Sequence, residues 1–366
     1  MTKKVKIGFV GVGNISSRYL NNITKTFREI EIIGVCDLVR EKAEEAVEEY
    51  KISKLYNDMY ELFSDPEVDI VLNITEAFNH YEVTKAALSA GKNVYSEKPL
   101  AHTFPLAKEL YELAQSKGLY LGGAPDTFMG AGIQTARKLI DSGFIGEPFG
   151  ASARMIQHGP EYWHPDSEPF YGFAGGPVLD MGPYYTTALI NLLGRCKSVT
   201  TVATKPYKQR VKLAEPRYGS LIDVDVQTYC NSILEFDSGA VANTLMTFDV
   251  FHPNYATLEI YGTEGTLFVP DPNCFSGKLT LMRESKKTVD IDMLFPYTEE
   301  SRGLGLADMA KAIKTGRAHR ADSRQQLHVV EMLTFMASEE PGTYIMETPF
   351  ERHLPMKQNA APGILD

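Results

Sequence analysis

Across its first 125 residues the chain alternates short apolar runs with helical patterns, and nothing else in it restricts the fold so strongly. Strands are expected at residues 6–10, 31–36, 69–74, 93–96 and 119–122. Helices are expected between and after them, at 15–27, 40–49, 59–64, 80–90 and 104–116. Ile70-Val71-Leu72-Asn73-Ile74 is almost continuously apolar, as a strand is when helices cover both faces of its sheet. Alternating β and α elements imply a parallel sheet with right-handed crossovers. Residues 1–125 therefore read as a doubly wound α/β domain.

Beyond Pro125 the pattern changes. A helix at 131–142 precedes longer strand-like segments at 150–157, 198–203, 226–236, 240–251, 257–261 and 266–269, with further helices at 306–315 and 323–338. Asp237-Ser238-Gly239 and Thr263-Glu264-Gly265 read as tight hairpin turns, and strands joined that way pair antiparallel. Residues 126–366 are thus expected to form an α+β domain around an open, mainly antiparallel sheet. Two domains suit a chain of 366 residues, which exceeds the usual size of one hydrophobic core.

A net charge of −10 disfavours a nucleic-acid or membrane-surface role, since both need a basic face. No apolar run approaches the roughly 20 residues of a membrane span. The start, Met1-Thr2-Lys3-Lys4, is basic, but a glycine-rich turn follows where a signal peptide would carry its apolar core, so folded protein is expected from Val5 onward. Cys36, Cys196, Cys230 and Cys274 are far apart with no C-x-x-C pair, which fits reduced thiols in the cytoplasm. The eight histidines show no metal-ligand spacing, and no metal is expected. His328 lies among apolar helical residues and reads as a core histidine.

Between the first strand and first helix lies Gly11-Val12-Gly13-Asn14-Ile15-Ser16. Two glycines permit a tight turn and close approach of a pyrophosphate, and the helix behind offers unpaired N–H groups to that anion. Ser16 stands at the third glycine position of the dinucleotide fingerprint, a departure that a small residue can accommodate. Gly11, Gly13, Asn14 and Ile15 are the candidate phosphate contacts in what now reads as a Rossmann domain. Asp37 ends the second strand, where a carboxylate meets the adenosine ribose hydroxyls and repels a 2′-phosphate. NAD is favoured, with NADP kept open by nearby Arg40. The competing role for Asp37 is a cap on the following helix.

Further along come Asn73-Ile74-Thr75, Asn79-His80, Gly91-Lys92-Asn93-Val94 and Ser96-Glu97-Lys98-Pro99-Leu100-Ala101. This run resembles the glucose–fructose oxidoreductase/inositol dehydrogenase/rhizopine catabolism (Gfo/Idh/MocA) family, and the resemblance extends over nearly the whole chain. It implies that Thr75, Asn79, His80, Glu97 and Lys98 line the cofactor and that Lys98 is the catalytic lysine, with a cis bond at Lys98–Pro99. A lysine beside a cationic ring and shielded from water is acidified, so it can polarise a substrate hydroxyl. Gly175-Gly176-Pro177-Val178-Leu179-Asp180-Met181-Gly182-Pro183-Tyr184-Tyr185 is similar to the family segment G-G-x-x-x-D-x-G-x-H. Asp180 then falls on the substrate-positioning aspartate. Tyr184 replaces the usual histidine as the acid/base group, unless Tyr185 is the one that faces the site.

Substrate contacts are expected from Asp126, where many relatives have an arginine-rich stretch, and from His158, Trp163 and His164 in a loop before the double glycine. Aromatic faces stack on sugar C–H surfaces while polar neighbours take the hydroxyls. For Asp126 an N-capping role on the turn that follows it competes; for Trp163, plain packing does. The function implied is hydride transfer between nicotinamide and a secondary alcohol or carbonyl of a sugar, polyol or sugar derivative. Two rivals stand beside it: a glycosidase that retains NAD, and a non-catalytic cofactor-sensing regulator. A homodimer or homotetramer through the second domain's sheet is also implied.

Overall fold

The structure is a computed structural model that describes residues 4–252, 255–284, 287–358, 363 and 365. Residues 1–3 of the basic start lie outside the described residues. The chain divides into two compact units. One comprises Met1–Gln134, Leu294–Leu327 and His353–Asp366; the other comprises Thr135–Met293 and His328–Arg352.

In the first unit, β1 (Val5–Val10), β2 (Ile30–Cys36), β3 (Lys54–Leu55), β4 (Ile70–Asn73), β5 (Asn93–Ser96) and β6 (Leu121–Gly123) form a parallel sheet of order β3-β2-β1-β4-β5-β6. The intervening helices are α1 (Ser16–Lys25), α2 (Arg40–Tyr50), α3 (Met59–Ser64), α4 (His80–Ser89) and α5 (Phe104–Lys117). Strand order reverses at β1, and ligands of open parallel sheets bind beyond the carboxyl ends of the strands at that switch point. Ile7, Phe9, Val35, Ile70, Val71 and Leu72 are buried, as helices on both faces require. The expected strands and helices of this half all appear; β3, only two residues long, had no periodicity to reveal it.

α6 (Ala131–Asp141) leads into the second unit. There, β7 (Pro148–Ile156) precedes the helix α7 (Gly176–Leu193). Next come β8 (Cys196–Thr204), the small ribbon β9 (Gln209–Val211) with β10 (Leu221–Asp223), β11 (Tyr229–Phe236), β12 (Val241–Thr247), β13 (Tyr255–Gly262), β14 (Gly265–Val269), β15 (Leu279–Met282) and β16 (Thr288–Ile291). After α8 (Leu304–Thr315) and α9 (Ser323–Met336), β17 (Gly342–Ile345) closes a nine-stranded sheet. Its order is β16-β15-β14-β13-β7-β12-β11-β8-β17. Only β7 and β12 pair parallel in it; the other neighbours run antiparallel. Both expected hairpin turns are present, joining β11 to β12 and β13 to β14. Strict alternation in β11 buries Cys230, Ser232, Leu234 and Phe236 under α7 and leaves the opposite face open.

The boundary expected at 125/126 assigns everything after it to the second domain. The compact units differ: α8 belongs to the first unit, packed on β6. Close backbone approach explains the return of the chain. A Cβ on Gly122 would lie 2.4 Å from the Ala321 carbonyl, and the Gly123 N–H donates to that same oxygen.

Candidate functional site

The glycine turn follows β1 directly. Gly11 has φ +92°, and a Cβ there would stand 2.7 Å from the Ile74 carbonyl, so only glycine fits. Gly13 has nothing within 4 Å of its Cβ position, so the turn opens onto free space. Ser16, at the third glycine position, is buried, and its hydroxyl donates to the Gly13 carbonyl at 2.6 Å. That bond fastens the turn to the start of α1. Ile15 caps α1 without a side-chain hydrogen bond, and no acidic residue lies in the first turn. The helix therefore presents its first N–H groups and positive dipole end to an anion, as a dinucleotide pyrophosphate requires.

Asp37 is half-buried beside this turn. Its Oδ2 accepts the Val12 N–H at 2.5 Å and its Oδ1 the Val39 N–H at 2.7 Å. Val39 is the N-cap of α2, so the carboxylate fixes the entry to that helix without bonding the helix's own first N–H groups, and it also braces the glycine turn. A carboxylate has about four acceptor positions, which leaves capacity for ribose hydroxyls. Arg40 pairs with Glu44 at 2.8 Å and with Asn57, so its guanidinium is engaged along α2. Leu38 beside Asp37 is fully exposed. The residues present thus fit a dinucleotide without a 2′-phosphate.

At the carboxyl ends of β4 and β5 the remaining candidates fall into two kinds. Thr75 and Asn79 are half-buried at a turn that opens α4, and Lys98 is half-buried just after β5. The Lys98–Pro99 bond is cis, as the resemblance implied. Glu97 and His80, by contrast, are buried supports. Glu97 accepts the Tyr19 hydroxyl at 2.6 Å through Oε1 and the Lys98 N–H at 2.9 Å through Oε2. His80 is 1 % exposed, with Nδ1 2.8 Å from the Pro99 carbonyl and Nε2 2.9 Å from that of Thr75. Burial lowers its pKa, against the opposing pull of the two carbonyls and Glu97. Expected to touch cofactor directly, both residues have their polar atoms committed inside the protein.

Asp126 needs a similar correction. It is 1 % exposed, and its Oδ2 accepts the N–H groups of Gly303 at 2.9 Å and Gly305 at 3.0 Å. Gly303 is the N-cap of α8, so Asp126 caps a helix 177 residues away rather than a substrate or its own following turn. Burial pushes its pKa up to about 6, against those two hydrogen bonds and the charge of Arg302.

In the second unit, α7 carries the other candidates. Every residue of this helix is buried except Asp180 and Met181. Tyr184 lies one turn beyond Asp180, on the same face. Tyr185 is 0 % exposed, its hydroxyl has no hydrogen-bond partner, and burial drives its pKa upward. Tyr184 is itself 8 % exposed, and of the two tyrosines it is the one a full turn from the half-buried Asp180. A Cβ on Gly182 would meet Leu333 at 2.7 Å, so that glycine lets α9 pack close.

The loop before α7 is held by charge. Arg210, on β9 and nearly buried, donates to Glu161 at 2.9 Å through Nε, to Asp249 at 3.1 Å, and to the His158 and Phe248 carbonyls. Buried Lys212 donates to the Pro165 carbonyl at 2.5 Å. His158 stacks on Phe251 with ring centroids 3.7 Å apart, and burial together with Arg210 lowers its pKa. It packs the loop, where a substrate contact had been expected. His164 stands edge-on between Trp163 and Phe170 and accepts the Asp166 N–H. Trp163 itself is 53 % exposed on this clasped loop.

Tyr19, Asn73 and Arg210 were missed from sequence. Tyr19 sits on the apolar stripe of α1 and gives no sign of a polar partner. Asn73, fully buried, holds Thr75 through Oδ1 and the His80 carbonyl through Nδ2, and only its place at a strand end could have flagged it. Among the described residues no group of three or more His, Cys, Asp or Glu gathers to hold a metal ion. His328 is a core histidine as expected: Nε2 accepts the Cys196 N–H, Nδ1 meets the Thr348 hydroxyl, and burial pushes its pKa down to about 3.

Two family models match this chain. Residues 5–123 match the model described as oxidoreductase family, NAD-binding Rossmann fold, and 133–268 match the GFO/IDH/MocA C-terminal domain. Inositol 2-dehydrogenase from Salmonella typhimurium is 35% identical over 162 residues, which are 43% of this chain and 46% of that protein. The chain thus spans about half the length of that relative. The scyllo-inositol 2-dehydrogenase (NAD(+)) of Bacillus subtilis is 26% identical over 274 residues, 74% of this chain and 75% of its own length. Among solved structures, levoglucosan dehydrogenase in complex with NADH and levoglucosan superposes with a TM-score of 0.79 at 22% identity, covering 92% of this chain and 97% of the other. At that identity the likeness shows the fold.

Proposed function

The chain belongs to the GFO/IDH/MocA oxidoreductase family, and from that membership we propose that it is an NAD-dependent dehydrogenase acting on a secondary alcohol of a sugar, polyol or sugar derivative. The observation that carries this reading is Lys98, braced by Glu97 at the carboxyl end of β5 in the same sheet as the open glycine turn. Relatives named for inositols and levoglucosan support the substrate class.

NAD, held by the Gly11–Gly13 turn, the start of α1 and Asp37, would supply the hydride acceptor. Tyr184, as its phenolate, receives the substrate hydroxyl proton. Asp180, one turn earlier on α7, orients that hydroxyl. Lys98 stabilises the alkoxide as it develops, an electrostatic contribution aimed at the transition state. The reverse direction, carbonyl reduction, uses the same groups. Trp163 is the remaining candidate for substrate stacking. A regulator that only sensed cofactor would have no use for the Lys98 and Tyr184 pair.

No described helix is long and apolar enough to cross a membrane. The four free cysteines support a cytoplasmic setting. Self-association fits the open face of the nine-stranded sheet, where Val202, Ile233 and Val241 are exposed. The test of function is NAD and NADP reduction measured over a panel of sugars, inositols and glycosides. NADH formation with a polyol or sugar, lost in Lys98→Ala by about 100-fold or more, is the expected result. Sugar release from glycosides without NADH would instead select the glycosidase. A clear preference for NADP would overturn the role given to Asp37.

A further inference from the structure

Lys98 is flanked by two fixed points of backbone. On its amino side its own N–H donates to Glu97, and on its carboxyl side the Pro99 carbonyl meets His80. His80 also meets the carbonyl of Thr75, at the end of β4, and Asn73 holds both the His80 carbonyl and the Thr75 side chain. A ring 1 % exposed, with each nitrogen against a backbone carbonyl, has no polar atom left for a ligand. We propose that His80 is a positioning residue for Lys98, acting through an Nδ1–H bond to the Pro99 carbonyl.

This role rests on the dehydrogenase reading for its purpose, though not for its geometry. A neutral imidazole carries one N–H, so it can donate to one of its two carbonyls at a time, and burial opposes the second proton that would serve both. The Thr75 turn already has a second tether through Asn73, whereas Pro99 follows the lysine directly. The proton on Nδ1 therefore fixes the segment that most needs fixing. A displacement of about 1 Å in such a group costs about 100-fold in rate, so a clamp one residue away from the ammonium matters for chemistry and not only for folding.

Two substitutions separate the two bonds. Asparagine places its amide nitrogen near the Nδ1 position, and glutamine places its own near Nε2. Full-length protein with each change, with and without saturating NAD, is compared for melting temperature, NADH affinity by fluorescence, kcat and KM, and the pH titration of Lys98 followed by 15N-lysine NMR. His80→Asn is expected to keep the Lys98 titration and kcat close to wild type. His80→Gln is expected to shift the titration and lower kcat about tenfold or more while NADH affinity stays unchanged. Identical Lys98 titrations in the two variants would overturn the assignment, as would a loss of NADH affinity that tracks kcat. Should His80→Gln fail to fold, 15N-histidine NMR of the wild type still decides, because a ring protonated on Nε2 alone refutes the Pro99 bond, and a proton on Nδ1 upholds it. Absence of turnover with every substrate would sink the dehydrogenase reading, while the lysine titration and the imidazole tautomer would still judge His80.

Discussion

Asp126 offers the sharpest test of the structure, because one buried carboxylate there answers to two opposed forces. Gly303 and Gly305 donate to it and favour the anion, while burial favours the acid and prevails, pushing the pKa up to about 6 from 3.8. In the unfolded chain the proton leaves near 3.8, so between the two values the native state holds more protons than the unfolded one. Stability therefore falls as pH rises through this window, is unaffected below it, and has lost its full share above it. At about 1.4 kcal/mol per pH unit the share is about 3 kcal/mol, of which about 2 kcal/mol falls between pH 4.5 and 7. Asp126→Asn keeps an oxygen for both N–H groups and cannot ionise. Urea denaturation of both proteins across that range is expected to show the variant gaining about 2 kcal/mol on the wild type as pH rises. Asp126→Ala leaves two helix N–H groups unpaired and is expected to lie at least about 2 kcal/mol below the asparagine variant at every pH. A stability difference between wild type and Asp126→Asn that stays flat with pH would refute the burial argument. A large rise in substrate KM for Asp126→Asn would restore the contact role that the structure takes away.

Three further expectations concern the second unit. Tyr184→Phe should lower kcat by about 100-fold or more. Tyr185→Phe should leave kcat intact and stabilise the fold by about 1 kcal/mol, since it removes a buried hydroxyl without a partner; an inactive Tyr185→Phe beside an active Tyr184→Phe would reverse the assignment. Ile233→Glu, on the open sheet face, should reduce the sedimentation coefficient to that of a monomer, and an unchanged oligomer would place the interface elsewhere.

The parallel sheet was legible because periodicity is a local property, and each strand and helix carries its own. The same locality explains what stayed hidden. α7 is missing from the expected helices: Gly175-Gly176-Pro177 and Gly182-Pro183 are poor helix formers, and a helix buried on nearly all sides has no polar stripe to mark its period. Its two unburied residues include Asp180, which the motif had picked out for other reasons. The site residues were found by type and place, but not sorted by depth. Glu97, His80 and Asp126 all lie where contacts were expected, yet their partners, Tyr19, Pro99 and Gly303, belong to other segments, and no single stretch of sequence shows that a carboxylate or imidazole is already spent. The compact units divide the chain elsewhere than at 125/126 for the same reason, since the Asp126 cap on α8 and the close approach at Gly122 join residues far apart in sequence.

That return has a consequence for synthesis. The cap on α8 joins residues 177 apart in the chain, and the edge strand β6 is bridged at Gly122 by Asp322. As the chain leaves the ribosome, its first five strands can assemble early, but β6 keeps an uncovered edge and Asp126 an unanswered carboxylate until nearly the whole polypeptide has emerged. Exposed strand edges invite association with other chains. The nucleotide-binding unit begins first and finishes last, and an expression fragment cut after residue 125 would be born with its outer edge permanently open.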